Sequence, residues 1–161
     1  PPPEAWTELP ISFEGNLPCV EVEIGGTAYR LLLDLGAGAT VWLDPETAGP
    51  AGARMTGGSS SSTDAFGRPF AGRAYVLPEC RLGQFVLRDV EGHEFHSSDR
   101  VAGLIGWRLL RPFRVLIDYP GKRLVLACGR SLPPGLSTEG WTRVPFRATP
   151  AGIATGVRCD G

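Results

Sequence analysis

The sequence predicts a single, mostly β domain, and its composition and its apolar patterning carry that prediction. Glycine and proline are abundant, 22 and 15 of 161 residues, and both interrupt helical periodicity. Apolar runs are short, some alternate with polar residues, and turn signals separate them. A chain of this length builds one well-buried domain with room for an appendage.

Residues 19–24, Cys-Val-Glu-Val-Glu-Ile, alternate over most of their length as a half-buried strand does, and Gly25-Gly26 closes them with hairpin chemistry. A second strand over residues 28–33 runs through Leu31-Leu32-Leu33 into Asp34. Residues 41–43 read as a short strand, after which Asp44-Pro45-Glu46 supplies a cap, a first-turn proline and an early acid, so a helix of one or two turns starts there. Residues 57–72 are rich in glycine and serine, with Phe66 and Phe70 among them, and read either as a surface loop or as a hairpin lid. Further strands are expected at residues 74–77, 80–82 and 85–90, the last two joined at Gly83-Gln84. The apolar spacing of residues 104–110 suits a short helix ending before Pro112. Residues 113–118 and 123–127 flank Tyr119-Pro120-Gly121-Lys122 and form another hairpin.

The composition then shifts. Residues 1–129 form the domain, and residues 130–140, including Ser131-Leu132-Pro133-Pro134-Gly135, read as a linker. In residues 141–161, Trp141-Thr142-Arg143-Val144-Pro145-Phe146 matches Trp6-Thr7-Glu8-Leu9-Pro10-Ile11 at Trp, Thr and Pro, and the alignment continues without gaps to Gly161 opposite Gly26. Two readings stay open: a strand returning to the first sheet, or the start of a second repeat.

Several function classes find no support. The formal net charge is -1 with scattered basic residues, so neither nucleic acid nor an anionic membrane is an expected partner. No apolar stretch is long enough to span a bilayer, and Pro1-Pro2-Pro3-Glu4 carries neither an initiator Met nor a signal profile, as expected of a processed chain. Cys19, Cys80, Cys128 and Cys159 form no CxxC pair; two disulfides and buried free thiols both fit.

One stretch carries chemistry. Asp34-Leu35-Gly36-Ala37 places a carboxylate on a glycine turn at the end of an apolar strand, and a carboxylate there is costly unless polar neighbours hold it. Followed by the Gly-rich segment, then Leu104-Ile105-Gly106 and Phe113-Arg114-Val115-Leu116-Ile117-Asp118-Tyr119, this order resembles a bacterial retropepsin-like aspartic protease over roughly residues 19–127. The resemblance implies a closed, barrel-like acid-protease lobe with one short helix. It implies that Asp34 is catalytic, with Leu35, Gly36 and Ala37 completing the turn. Gly57 and Gly58 would belong to a flap, while Leu104, Ile105 and Gly106 would pack beside the turn. No cofactor or metal is implied.

Hydrolysis by this route needs two carboxylates sharing one proton. The sequence contains one such turn, so the second must come from a homodimeric partner or a second repeat. The substrate implied is an extended polypeptide bound as an added strand, in an exported protein of the periplasm or extracellular space. Leu35 departs from the family's usual Thr or Ser, whose hydroxyl bonds across paired turns, and Gly38 lacks the hydroxyl or carboxyl often found there. A non-catalytic peptide-binding or dimerisation module is therefore the alternative.

Other candidates read more simply. His93 and His96 lack a helix signal that would make them metal ligands, and Asp118 reads as a turn carboxylate. Ser59 to Ser62 have no Ser-His-Asp setting, and Trp6, Trp42, Trp107 and Trp141 read as core or interface anchors.

Overall fold

The computed structural model describes residues 5–63, 68–96, 100–129, 133–149 and 152–156. The amino-terminal prolines, Phe66, Ser131, Leu132, Cys159 and the end of the repeat lie outside these residues. Strands β1 (Trp6–Glu14), β2 (Leu17–Ile24) and β3 (Thr27–Asp34) form an antiparallel meander. Its tight turns use Gly15, Gly25 and Gly26, all at positive φ, where a side chain would be strained. The predicted alternation appears in β2: Val20, Val22 and Ile24 are buried, while Glu21 and Glu23 face water.

β4 (Val41–Leu43) leads into α1 (Pro45–Ala48), which starts at the proline as expected. β5 (Arg54–Thr63) and β6 (Pro69–Leu82) form a long hairpin, and β7 (Phe85–Glu94) pairs with β6. Then follow β8 (Gly103–Gly106), α2 (Trp107–Leu110), β9 (Arg114–Asp118) and β10 (Arg123–Ala127).

These ten strands form one sheet in the order β5-β6-β7-β4-β8-β3-β2-β1-β10-β9. β2 also pairs with β6, through Glu23 opposite Arg81 and Ile24 opposite Cys80, so the sheet closes on itself as a barrel. The core fills it, with Val20, Val22, Leu31, Leu43, Leu77 and Ile105 almost wholly buried. Burial on this scale is the main stabilising term, at about 25 cal/mol per Å² of apolar surface. The result is the predominantly β, barrel-like lobe expected, with only short helices among the described residues.

The structure departs from the sequence reading at three places. β1 was not anticipated as a strand, because Pro10 interrupts its pattern; Pro10 is exposed and pairs opposite Arg123. The expected strands at residues 74–77 and 80–82 are one strand, in which the β6–β7 ladder skips Pro78 and Asp89, the latter at φ 50°. Leu104, Ile105 and Gly106 are strand, and the helix starts only at Trp107. Tertiary pairing overrides helical spacing there, because β8 lies parallel to β3 and antiparallel to β4.

Among the described residues β11 (Arg147–Thr149) and β12 (Gly152–Ala154) pair with each other, in a separate two-stranded sheet.

Candidate active site

β3 delivers Asp34 to the barrel's end, where the chain turns. The Asp34 Oδ1 accepts the Gly36 N–H at 2.9 Å and the Ala37 N–H at 3.2 Å. This local wrapping fixes the carboxylate while leaving the side chain exposed. A Cβ at Gly36 would lie 3.2 Å from that same oxygen, so the absence of a side chain keeps the turn open around it. Leu35 turns the other way and packs, half-buried, against the hydrophobic core.

A second layer holds the turn from behind. Gly106 is the register partner of Asp34 in the parallel β3–β8 ladder. Its N–H donates to Thr40 O at 3.0 Å, the Trp107 N–H to Ala37 O at 3.1 Å and the Arg108 N–H to Ala39 O at 3.0 Å. The first N–H groups of α2, which lack partners within the helix, thus hold the loop that follows Asp34. A Cβ on residue 106 would come within 2.5 Å of Ala39 O and 2.7 Å of Ala37 O, so this position demands glycine.

In front of Asp34 lies an open cavity of about 670 Å³. One wall is aromatic: Trp42, Phe70 and Phe95 lie with ring centroids 5.2 to 5.6 Å apart, a spacing at which aromatic pairs attract. Phe70 belongs to the β5–β6 hairpin, and Ser60, Ser61, Ser62 and Thr63 of its other arm also line the cavity. The hairpin therefore overhangs the carboxylate. Below, Tyr75 is buried and donates its hydroxyl to Val41 O at 3.1 Å, and burial pushes that phenol well up.

Charge pins the hairpin arm to the barrel. Arg73 of β6 grips Glu94 of β7 with two bonds, 2.8 and 2.6 Å, and Glu94 is buried. The Arg73 guanidinium holds the Glu94 carboxyl below its usual range, against the opposing effect of burial. Gly72 permits the approach, since a Cβ there would overlap Glu94 O. His93 lines the cavity, where burial lowers its pKa and favours the neutral ring, with nearby Arg108 acting in the same direction and Glu91 opposing.

A family model described as aspartyl protease matches residues 20–109, more than half of the chain and the span that runs from β2 through the Asp34 turn to α2. The chain belongs to the aspartyl protease family. A retropepsin-like aspartic protease from Rickettsia conorii has the same fold, with a TM-score of 0.55 at 17% identity over 78% of this chain and 93% of that one. Basic 7S globulin from soybean superposes with a TM-score of 0.59 at 13% identity, covering 93% of this chain; the chain spans 58% of the globulin's length. A search of curated proteins found no match.

In this aspartyl protease domain the residues expected at the turn do converge: Asp34, Leu35, Gly36 and Ala37 stand beside Leu104, Ile105 and Gly106. Gly57 and Gly58 stand apart. They occupy an exposed irregularity of β5, with Gly57 at φ +77°, between the register pairs of Met55 and Ser59, and they do not line the cavity. The glycine- and serine-rich stretch is a paired hairpin rather than a plain loop, as far as residues 57–63 and 68–72 show. Trp42, read as an anchor, and Phe95 were missed as cavity walls; the two-residue spacing of His93 in β7 and Phe95 just after it was the signal available. His96 lies beside Arg100 in a different surface pocket, so the two histidines do not converge. Cys19 and Cys80 are buried free thiols and Cys128 is a half-buried one. Among the described residues no helix is long and apolar enough to cross a membrane.

Proposed function

We propose that this domain is one half of an aspartic endopeptidase, with Asp34 as one carboxylate of a pair and a second lobe of the same plan supplying the other. The observation that carries this is the exposed Asp34 carboxylate, held by two backbone N–H groups at the floor of a cavity that a hairpin overhangs. In such a pair one carboxylate is ionised and takes a proton from water as its oxygen attacks the peptide carbonyl carbon. The other is protonated and gives its proton to the carbonyl oxygen. The tetrahedral intermediate then expels the amine as that nitrogen gains a proton.

The substrate class follows from the cavity's shape. An extended polypeptide fits between the Asp34 turn and the β5–β6 hairpin, with backbone groups for hydrogen bonding on one side and the aromatic wall on the other. Closure of the hairpin would exclude water from the bond being cut.

One observation favours a second reading, a peptide-binding module without hydrolysis. Leu35 is packed into the core where the family usually presents a hydroxyl to the partner turn, which removes one support for coplanar carboxylates.

Cleavage of a peptide library by the native protein at acidic and neutral pH, compared with Asp34→Ala, decides between them. Cleavage that disappears in Asp34→Ala supports the endopeptidase. No cleavage at either pH overturns it in favour of the binding module, and cleavage that survives Asp34→Ala overturns the role of Asp34.

A further inference from the structure

The hairpin formed by β11 and β12 reproduces the first hairpin of the barrel in register, not merely in shape. Arg147 stands opposite Ala154, Ala148 opposite Ile153 and Thr149 opposite Gly152. In the gapless alignment of the repeat these are the counterparts of Ser12 opposite Cys19, Phe13 opposite Pro18 and Glu14 opposite Leu17. A weak sequence match with few identities and an identical ladder register are independent observations, and they select the same alignment. Register is normally set by which side chains face a core and by the turn, so conserving it preserves the inward face.

Among the described residues that inward face is left exposed. Leu9 and Ile11 of β1 are 7% and 4% exposed, whereas Val144 and Phe146, which occupy the same places in the repeat, are 57% and 55% exposed. The sequence keeps apolar residues where the first copy needs them. Among the described residues the ring partner of Phe146 is Trp107, nearly perpendicular to it with centroids 6.1 Å apart. β12 also packs against α2, the helix whose amino-terminal N–H groups hold the loop behind Asp34.

We infer that residues 141–156 are the opening hairpin of a second lobe built on the first lobe's plan, in the same polypeptide, and that this lobe covers Val144 and Phe146 and brings the second carboxylate to Asp34. The occupant of the exposed apolar face is then the remainder of that lobe, beginning with its counterpart of β3. Its position beside α2 puts the start of the second lobe next to the Asp34 turn, where a paired turn has to stand. The repeat itself is independent of catalysis; only the pairing with Asp34 rests on the endopeptidase reading.

Intact mass and peptide sequencing of the native gene product test the repeat. The expected result is a polypeptide heavier than 17.2 kDa, with an apolar strand ending in an Asp-Xaa-Gly turn as far past Gly161 as Asp34 lies past Gly26. A polypeptide without that turn overturns the inference. Sedimentation and cleavage assays of the 161-residue chain alone provide the second arm, with a monomer that does not cleave as the expected result. A dimer of this chain showing Asp34-dependent cleavage would overturn the second lobe while leaving the endopeptidase intact. Conversely, a second lobe in a native protein whose cleavage ignores Asp34→Ala would sink the endopeptidase and keep the repeat. In that native protein Phe146→Asp is expected to lower the melting temperature of the second lobe and spare the first; equal destabilisation of the first lobe counts against the inference.

Discussion

Gly106 stands opposite Asp34 in the only parallel pairing that β3 makes among the described residues, and its missing side chain is what lets the loop after Asp34 close over β8. The carboxylate is therefore positioned by a residue far along the chain as much as by its own turn.

Gly106→Ala is expected to cost about 1–3 kcal/mol, as overpacking in a tight site does. The added Cβ would press on two backbone carbonyl oxygens, which cannot swing away as a side chain could. Urea unfolding followed by circular dichroism measures it. A variant as stable as the parent would show that the loop does not need this close approach.

Glu94 gives the hairpin arm a pH dependence. Its folded pKa lies below the ordinary glutamate value of the unfolded chain, chiefly through the hydrogen bonds from Arg73. Stabilisation by the ionised form is thus fully present above the unfolded value and is lost as pH falls through the folded one. Glu94→Gln should flatten the fall in melting temperature in that acidic window; an unchanged slope would assign the acid sensitivity to other groups. Arg73→Ala at neutral pH should lower the melting temperature, by less than loss of a fully buried pair would, because Arg73 is 67% exposed and water screens it.

Phe70→Ala removes two ring contacts, to Trp42 and to Phe95, each worth about 0.5–1.5 kcal/mol beyond burial. The cavity end of the β5–β6 hairpin should then open more often. Hydrogen exchange at the amides of residues 59–63 is expected to quicken by about tenfold, the equivalent of roughly 1.4 kcal/mol, while exchange in β2 stays unchanged. Equal exchange in both proteins would mean that the aromatic wall does not hold the hairpin.

The cysteines should react in order of burial. Burial pushes the Cys80 thiol up to about 12 and raises Cys19 as well, so few thiolates form in the folded state. Alkylation of the native protein at pH 8, read by mass spectrometry, should label Cys128 ahead of Cys19 and Cys80. Early labelling of Cys80 would contradict the closed barrel.

Leu35→Thr is expected to destabilise the domain by about 1 kcal/mol, because it replaces an apolar side chain packed on the core with a smaller polar one. If the endopeptidase reading holds, the same change should raise kcat in the native protein by restoring a hydroxyl at the paired turns. A fall in kcat with stability unchanged would refute both halves of that expectation.

Local chemistry made much of this protein legible from its sequence. The β2–β3 hairpin follows from alternation over most of residues 19–24 and a Gly-Gly turn, and the placement of Asp34 follows from the apolar strand before it and the glycine after it. Those features act over a few residues, so they survive in a linear reading. The same is true of the repeat at Trp141, although an alignment could not choose between a returning strand and a second copy.

What only the tertiary structure decided depends on partners distant in the chain. β8 inserts between β3 and β4, so Leu104, Ile105 and Gly106 are drawn into a ladder despite their helical spacing. Trp42, Phe70 and Phe95 become one wall because β4, β6 and the residue that follows β7, from separate parts of the sequence, converge there. Glu94 is a tolerable buried charge only because Arg73 lies across the ladder from it. Local spacing dictates the turn that carries the carboxylate, whereas the walls, the overhanging hairpin and the glycine behind the turn are set by closure of the barrel, which no short window of sequence encodes.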